Sequence, residues 1–181
     1  MDALAAAYAL PDFGWEGETY TPAELVEGMV LTESSGNPMA RRYEPAYDRP
    51  GRADAPSDAD RAGVDDGAVE DDSSYGLLQV MGWNWRAMVG APPATPLKYE
   101  LLYDPAVGLA AGLRVLSGEL RALYREHPTG DEGTRLLRAL ARYNGGHTGD
   151  DVGADGRMRR HVYVAKVASN TALARADRRA R

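Results

Sequence analysis

The sequence predicts one mostly α-helical domain spanning residues 1–181. Three observations support this fold class: apolar residues recur at helical spacing, helix start and stop signals flank those segments, and no segment shows convincing strand alternation. A compact chain of this length buries roughly 70% of its unfolded surface, enough for one hydrophobic core. We expect at most a small hairpin, near residues 41–75.

The first clear helix begins at Thr21-Pro22-Ala23-Glu24, after a lead-in of residues 1–20 that is expected to pack on the domain. Thr21 can cap the helix, Pro22 suits its first position, and Glu24 completes a capping box. Ser34-Ser35-Gly36 is expected to end it. The face predicted to be buried carries Leu25, Val26, Met29, Val30 and, one turn further on, Glu33.

Residues 41–72 are predicted to form a long acidic loop. From Asp48 to Asp72 there are eight aspartates and one glutamate, with hardly any large apolar side chain. Such a stretch cannot bury enough surface to fold by itself.

Four more helices are predicted after this loop. A short helix spans Trp83–Met88 and stops at Gly90. The longest helix begins at Asp104-Pro105, and the helix after it ends at Asn144-Gly145-Gly146. A final helix follows. Arginines in 175–181 are expected to form a solvated basic tail. The predicted core positions are Leu109, Leu113, Leu116, Leu120, Leu123, Leu136, Leu137, Leu140, Tyr143, Tyr163, Val167 and Leu173.

Composition excludes several function classes. A net charge of -6 argues against nucleic-acid binding, and the lack of cysteine excludes disulfides and thiolate-bound metals. His127, His147 and His161 do not have metal-ligand spacing. The acidic loop matches a calcium loop at only some positions, with Ala62 at the fifth and the closing Glu70 one residue late. We therefore expect no cofactor, no bound metal and a monomer.

The N-terminus, Met1-Asp2-Ala3-Leu4-Ala5, does not have the basic region and apolar run of a secretory signal. No stretch approaches the ~20 apolar residues of a membrane span. The sequence therefore predicts synthesis in the cytoplasm without an export signal.

Three sequence blocks carry the functional interpretation. They are Glu33-Ser34-Ser35-Gly36-Asn37-Pro38, Ser73 to Met81, and Ala141-Arg142-Tyr143-Asn144-Gly145-Gly146. In this order they resemble the soluble lytic transglycosylases and goose-type lysozymes that cut peptidoglycan glycan strands, over roughly residues 20 to 170. The resemblance implies a lysozyme-like fold. Without an export signal, it also implies delivery to the wall by a phage, as an endolysin or a virion-associated lysin.

Glu33 is the expected catalytic acid. Glycosidic cleavage needs a carboxyl group that is still protonated near neutral pH, and both an apolar setting and a helix C-terminus favour the protonated form. Soluble lytic transglycosylases use one glutamate as acid and then as base, and the sugar's own 6-hydroxyl closes a 1,6-anhydro ring. The resemblance implies the same product here, from the bond between N-acetylmuramic acid and N-acetylglucosamine.

Two alternatives stay open. Goose-type lysozymes carry aspartates in the segment before the glycine of the second block, where this chain has Glu70, Asp71 and Asp72. Glu70 or Asp72 could serve as the second carboxylate of a hydrolase. The other alternative is a non-catalytic wall-binding virion protein.

The resemblance also implies substrate-binding residues. Gln79 would hydrogen-bond an acetamido or hydroxyl group, and Met81 would contact a sugar face. The chain departs from the family pattern at Leu78 and Gly82. Glu70 stands where the family has a serine that supports the acid, and Ser73 or Ser74 could take its place. The expected substrate-binding set is Gln79, Met81, Tyr143, Asn144, Tyr163, Tyr75 and Ser74. Trp83, Trp85 and Tyr103 could stack on sugars or belong to the core.

Overall fold

The computed structural model describes residues 2–44, 71–92, 95–153 and 157–180, and within them the protein is mostly helical, as predicted. Short 3-10 helices span Tyr99–Tyr103 and Gly146–Thr148. No described helix combines the length and apolar character needed to cross a membrane. The α-helices are α1 (Asp2–Ala7), α2 (Pro22–Ser34), α3 (Gly82–Val89), α4 (Pro105–Glu126), α5 (Glu132–Gly145) and α6 (His161–Ala180). The strands are β1 (Phe13–Trp15), β2 (Glu18–Tyr20), β3 (Arg41–Tyr43), β4 (Ser73–Tyr75) and β5 (Val80–Met81).

The chain divides into two compact units. The first consists of Met1–Thr32 and Leu113–Arg181, and the second of Glu33–Gly112. The boundaries therefore fall inside α2 and inside α4, and Glu33 is the first residue of the second unit.

Side-chain caps define the helix starts as the sequence predicts. The backbone N–H of Thr21 donates to Glu24 Oε2 at 2.8 Å, and the N–H of Glu24 donates to the Thr21 hydroxyl at 3.3 Å, which completes the capping box of α2. Asp104 Oδ1 accepts two backbone hydrogen bonds at the start of α4, and Asp131 Oδ1 accepts from Thr134 at the start of α5. The predicted starts of α2 and α4 are confirmed, and the Asp131 cap is a further start signal that was not predicted.

The first unit buries the predicted faces of its helices. Met29 of α2, Leu113 of α4 and Leu136 of α5 are all fully buried. The lead-in contributes a two-stranded antiparallel hairpin, β1–β2, whose connecting residues Glu16 and Gly17 have φ values of +50° and +85°. Phe13 on β1 is fully buried and β1 contacts α5, so this segment is part of the core.

The second unit contains a small antiparallel sheet in the order β3-β4-β5. Arg41 pairs with Tyr75 and Tyr75 with Val80, so β4 is the central strand. The hairpin expected near residues 41–75 is present as β3–β4. The core beside this sheet is formed by Tyr75, Val80, Tyr99, Leu102 and Ala111.

Two expectations from the sequence are wrong. Arg175 is not part of a solvated tail, because α6 continues to Ala180 and the Arg175 side chain is only 15% exposed, whereas residues 176–180 of the same helix are exposed. Leu173 is not a core residue, since it is 55% exposed. Residues 45–70, which make up most of the predicted acidic loop and its calcium-like pattern, lie outside the described residues.

Candidate active site

Glu33 lies in the last turn of α2, one residue before the helix ends, and its side chain is half-buried. Ser35 and Gly36 follow with φ values of +54° and +80°, so the chain leaves the helix through the left-handed region. The predicted helix stop is confirmed. Glu33 therefore has regular helical backbone geometry, and α2 fixes the position of its Cα.

The end of α2 is hydrogen-bonded to the second sequence block. The Ser34 hydroxyl donates to the carbonyl oxygen of Leu77 at 2.9 Å. The carbonyl oxygen of Ala40, in the segment that follows α2, accepts from the backbone N–H of Gly76 at 2.8 Å. The first two sequence blocks, linked by residues forty-three positions apart, are thus brought together within one unit.

The turn between β4 and β5 has a constrained backbone. Gly76 has a φ of +73°, and a Cβ on it would lie 2.2 Å from the carbonyl oxygen of Leu102, so only glycine fits there. Gln79 has a φ of +48°, which is uncommon for a residue with a side chain. Such conformations persist only where surrounding contacts stabilise them.

Those contacts come from the Gln79 amide group. Its Nε2 donates to the carbonyl oxygens of Gly76 at 2.9 Å and Ala40 at 3.1 Å, and its Oε1 accepts from the Ser74 hydroxyl at 2.9 Å. Gln79 is only 8% exposed. The resemblance assigns the Gln79 side chain to substrate, but both of its amide hydrogens bind backbone carbonyl groups of the protein. Gln79 therefore stabilises the turn between β4 and β5, and we call it the brace of this turn.

Ser74 and Tyr75 are likewise internal. Both are buried on the central strand β4, and Ser74 is the partner of Gln79. The Tyr75 ring stacks on Tyr99 at 5.4 Å between centroids, and the Arg41 guanidinium lies 5.5 Å from the Tyr75 centroid. Met81, at the end of β5, is half-buried. Of these three expected substrate contacts, Met81 has the most accessible side chain.

The acidic segment before β4 contains an internal ion pair that the sequence did not predict. Asp71 Oδ2 accepts from Arg86 Nε at 2.8 Å, and its other oxygen accepts from the Tyr99 hydroxyl. The guanidinium of Arg86 also donates to Tyr99 at 2.8 Å and to the carbonyl oxygens of Pro92 and Thr95. Asp71 and Arg86 are buried, so this carboxylate holds the fold together.

The same network changes two pKa values. Burial is the largest cause that raises the pKa of the Tyr99 hydroxyl, followed by its hydrogen bond to the Asp71 carboxylate. For Arg86, burial is the largest cause and lowers the pKa, but the hydrogen bonds and charges of Asp71 and Tyr99 together outweigh it, so the pKa is raised. Both shifts favour the protonated forms of the two side chains.

Of the two candidates for a second carboxylate, Asp72 is described and Glu70 is not. Asp72 is half-buried, and its backbone carbonyl accepts from the N–H of Glu44 at 2.9 Å. Glu70 lies outside the described residues, while Ser73 and Ser74, which could replace the family's serine, are buried on β4.

The third sequence block lies in the first unit, at the end of α5. Tyr143 and Asn144 are both half-buried, and Gly146 follows the helix with a φ of +64°. Tyr163 lies in the first turn of α6 and is also half-buried. Each of the three is thus partly accessible to a ligand.

Asp150 holds the segment after Asn144 against α5. It is 3% exposed, accepts from Arg138 Nε at 2.7 Å, and has Arg142 Nε 2.9 Å from its other oxygen. Burial alone would raise the pKa of Asp150, but hydrogen bonds from Arg142 and Arg138 outweigh it and the pKa is lowered. A Cβ at Gly149 would lie 2.2 Å from the Ala141 carbonyl oxygen, which explains the glycine beside it.

The remaining candidate residues do not add a site. Trp85 and Tyr103 are half-buried and pack against the core of the second unit. His127 and His147 are exposed, while the His161 ring lies 5.8 Å from that of Trp15. Across the described ranges, no three histidine, aspartate or glutamate side chains are grouped so as to hold a metal ion.

Two residues were not predicted from the sequence. Arg86 binds Asp71 of the acidic segment, and the Ala40 carbonyl binds Gln79 of the turn. Arg86 lies inside a short helix and looks like a surface residue, and the backbone carbonyl of Ala40 has no sequence signal. The chain matches no protein-family model, no curated protein and no solved structure.

Proposed function

We propose that this protein is a peptidoglycan lytic transglycosylase with a lysozyme-like fold. It cleaves the β-1,4 bond between N-acetylmuramic acid and N-acetylglucosamine, with Glu33 as the catalytic residue. The observation that carries the proposal is the hydrogen bond from Ser34 to the Leu77 carbonyl. It joins the helix end that bears Glu33 to the braced turn of Gln79, the two blocks on which the resemblance rests.

Glu33 acts first as an acid. Its carboxyl proton passes to the glycosidic oxygen as the bond to C1 of the muramoyl sugar breaks, and the N-acetyl group of that sugar stabilises the positive charge at C1. The Glu33 carboxylate then takes the proton of the sugar's 6-hydroxyl, whose oxygen bonds to C1. The ring closes without water, and Glu33 is again protonated.

The half-buried position of Glu33 at a helix C-terminus supports this role. Partial removal from water and the negative end of the helix dipole both disfavour a carboxylate, so they favour the form that can donate a proton.

The binding residues are proposed from the same resemblance. Met81, Tyr143, Asn144 and Tyr163 contact the glycan, and Gln79, Ser74 and Tyr75 shape the turn beside it. The substrate is the glycan strand of the bacterial wall, and phage delivery, as an endolysin or a virion-borne lysin, provides the route to it.

Mass spectrometry of digested peptidoglycan tests the proposal. Purified sacculi are incubated with the wild type and with Glu33→Gln, and the released muropeptides are analysed. The proposal predicts 1,6-anhydromuramoyl ends with the wild type and none with Glu33→Gln. Reducing ends would instead show hydrolysis, with Asp72 or Glu70 positioning the water. Binding to sacculi without release of muropeptides would show a wall-binding protein.

A further inference from the structure

Helices α2 and α6 contact each other through several residues of the first unit. Near the start of α2, Glu24 accepts two hydrogen bonds from Arg175, at 2.8 and 2.7 Å. One turn later, Glu27 pairs with Arg178 at 2.6 Å. Further along, Thr32 of α2 accepts from Asn170. The two helices are thus linked by polar side chains near both ends of α2.

The two helices touch most closely at Gly28. A Cβ on Gly28 would lie 2.0 Å from the Thr171 hydroxyl oxygen and 2.7 Å from the Thr171 backbone nitrogen. The Gly28 backbone therefore packs directly against the side chain and backbone of Thr171 at this crossing. Because Gly28 has no side chain to separate the helices there, α2 cannot shift along α6 without a steric clash.

Asn170 continues this contact into the last turn of α2. Its Nδ2 donates to the Thr32 hydroxyl oxygen at 3.0 Å, and the Thr32 hydroxyl donates in turn to the Gly28 carbonyl oxygen at 2.7 Å. The series runs from Asn170 through Thr32 to Gly28, so it connects α6 to the final turn of α2. Helix ends fray unless such contacts hold them.

We propose that Asn170 is a positioning residue for Glu33, acting through Thr32. Thr32 is the residue immediately before Glu33 in the same helix, so the hydrogen bond from Asn170 fixes the backbone that carries the catalytic carboxyl group. Asn170 does not take part in the chemistry. The inference rests on the proposed function, since it assigns the role of Asn170 in the reaction of Glu33.

Neutral, shape-matched variants test the inference. Asn170→Leu and Thr32→Val each remove the hydrogen bond, whereas Thr32→Ser keeps the hydroxyl group. We expect Asn170→Leu and Thr32→Val to lower kcat about tenfold with little change in KM, because small misplacements of a reacting group are costly. Thr32→Ser should stay within about twofold of the wild type. The double variant should lose no more than Thr32→Val alone, because both single variants remove the same hydrogen bond between Asn170 and Thr32.

Arg175→Gln is the matched control, because it breaks α2–α6 contacts at the opposite end of α2. We expect it to lower the thermal midpoint without lowering kcat, when activity is measured well below that midpoint. The inference is wrong if Asn170→Leu keeps the wild-type kcat. It is also wrong if Asn170→Leu and Arg175→Gln lower kcat equally when the two variants are equally stable.

A second readout does not depend on activity. The Glu33 carboxyl group is titrated by NMR, and amide exchange is followed at residues 31–34. Asn170→Leu and Thr32→Val should change the Glu33 titration and speed exchange at these amides, while Thr32→Ser and Arg175→Gln should not. If the wild type does not cleave peptidoglycan, the proposed function fails, and these data still decide whether Asn170 orders Glu33. Unchanged titration and exchange would overturn the positioning role.

Discussion

The Ser34 hydroxyl donates a 2.9 Å hydrogen bond to the backbone carbonyl of Leu77, which lies forty-three residues further along the chain. Ser34 follows Glu33 directly, and Leu77 belongs to the turn that Gln79 braces. The position of the proposed acid relative to this turn therefore depends on one hydroxyl group within the second unit.

Ser34→Ala should reduce activity more than stability. It removes one partly buried hydrogen bond, which costs about 1 kcal/mol of the free energy of unfolding. Because the lost bond joins the helix end to the turn, we expect kcat for muropeptide release to fall about tenfold. Ser35→Ala, which alters the next, exposed serine, is the control and should leave kcat unchanged. Equal kcat values for the two variants would contradict the role of Ser34.

Gln79→Glu should destabilise the protein more than its similar shape suggests. A carboxylate cannot donate to the carbonyl oxygens of Ala40 and Gly76, so each of them keeps only its backbone hydrogen bond while a charge is placed in a buried site. We expect a loss of about 2–4 kcal/mol in the free energy of unfolding by urea. Ser74→Ala removes only the third bond and should cost about 1 kcal/mol. A loss for Gln79→Glu no larger than that of Ser74→Ala would count against the brace.

Asp71→Asn tests whether the buried network is structural. It leaves Arg86 buried without its counter-charge, which costs about 3–5 kcal/mol when a buried pair is broken. The matched control is Glu44→Gln, which breaks the more exposed pair of Glu44 with Arg42 and should cost less than about 1 kcal/mol. Urea unfolding of the two variants measures the difference. If Asp71→Asn is as stable as Glu44→Gln, the network does not hold the second unit together.

The pair of Glu24 with Arg175 makes stability depend on pH. The hydrogen bond from Arg175 is the largest cause that lowers the pKa of Glu24 from 4.5 to about 2. Since the folded-state pKa lies below the unfolded value, the contribution is fully present above pH 4.5 and is lost as pH falls towards 2. We expect Arg175→Gln to be about 1–2 kcal/mol less stable than the wild type at pH 6.

At pH 2 this difference should become smaller, because protonated Glu24 has lost its ionic bond to Arg175. Thermal or urea unfolding of both proteins at the two pH values measures the change. Arg178→Gln serves as a control, since Arg178 pairs with Glu27 at a more exposed position. If the difference in the free energy of unfolding between wild type and Arg175→Gln is the same at both pH values, the pair of Glu24 with Arg175 does not cause the pH dependence.

The helices could be predicted from the sequence because their signals are local. Thr21 and Glu24 cap α2 through contacts three residues apart, and Gly90 and Gly146 end helices through their own backbone freedom. Such signals do not depend on tertiary packing, which is why the predicted starts and stops are confirmed.

The hairpin β1–β2 was not predicted, because its strands are only three residues long. The available signal was the pair Glu16-Gly17 between aromatic residues, with positive φ at both positions, as a two-residue hairpin turn requires. Glutamate at the first position hides that signal, since asparagine or aspartate is the usual residue there.

The basic tail and the brace of Gln79 could not be predicted for a different reason. Arg175 binds Glu24, more than 150 residues away, and Gln79 binds the backbone of Ala40. Both contacts depend on the fold and not on nearby sequence. From the sequence alone, arginines near a chain end are read as a solvated tail, because the partner Glu24 is distant in the sequence. Gln79 is read as a substrate ligand for the same reason, since Ala40 is distant.

The most direct test compares two variants, Glu33→Gln and Glu27→Gln. The rate at which each releases muropeptides from purified sacculi decides whether Glu33 is the catalytic acid. Both variants replace one carboxyl group of α2 by an amide, and Glu27, which pairs with Arg178, has no part in the proposed chemistry. We predict that Glu33→Gln lowers the rate at least about 100-fold, as expected for loss of a general acid, while Glu27→Gln stays within about twofold of the wild type. Equal, wild-type rates for both variants would contradict the proposed function.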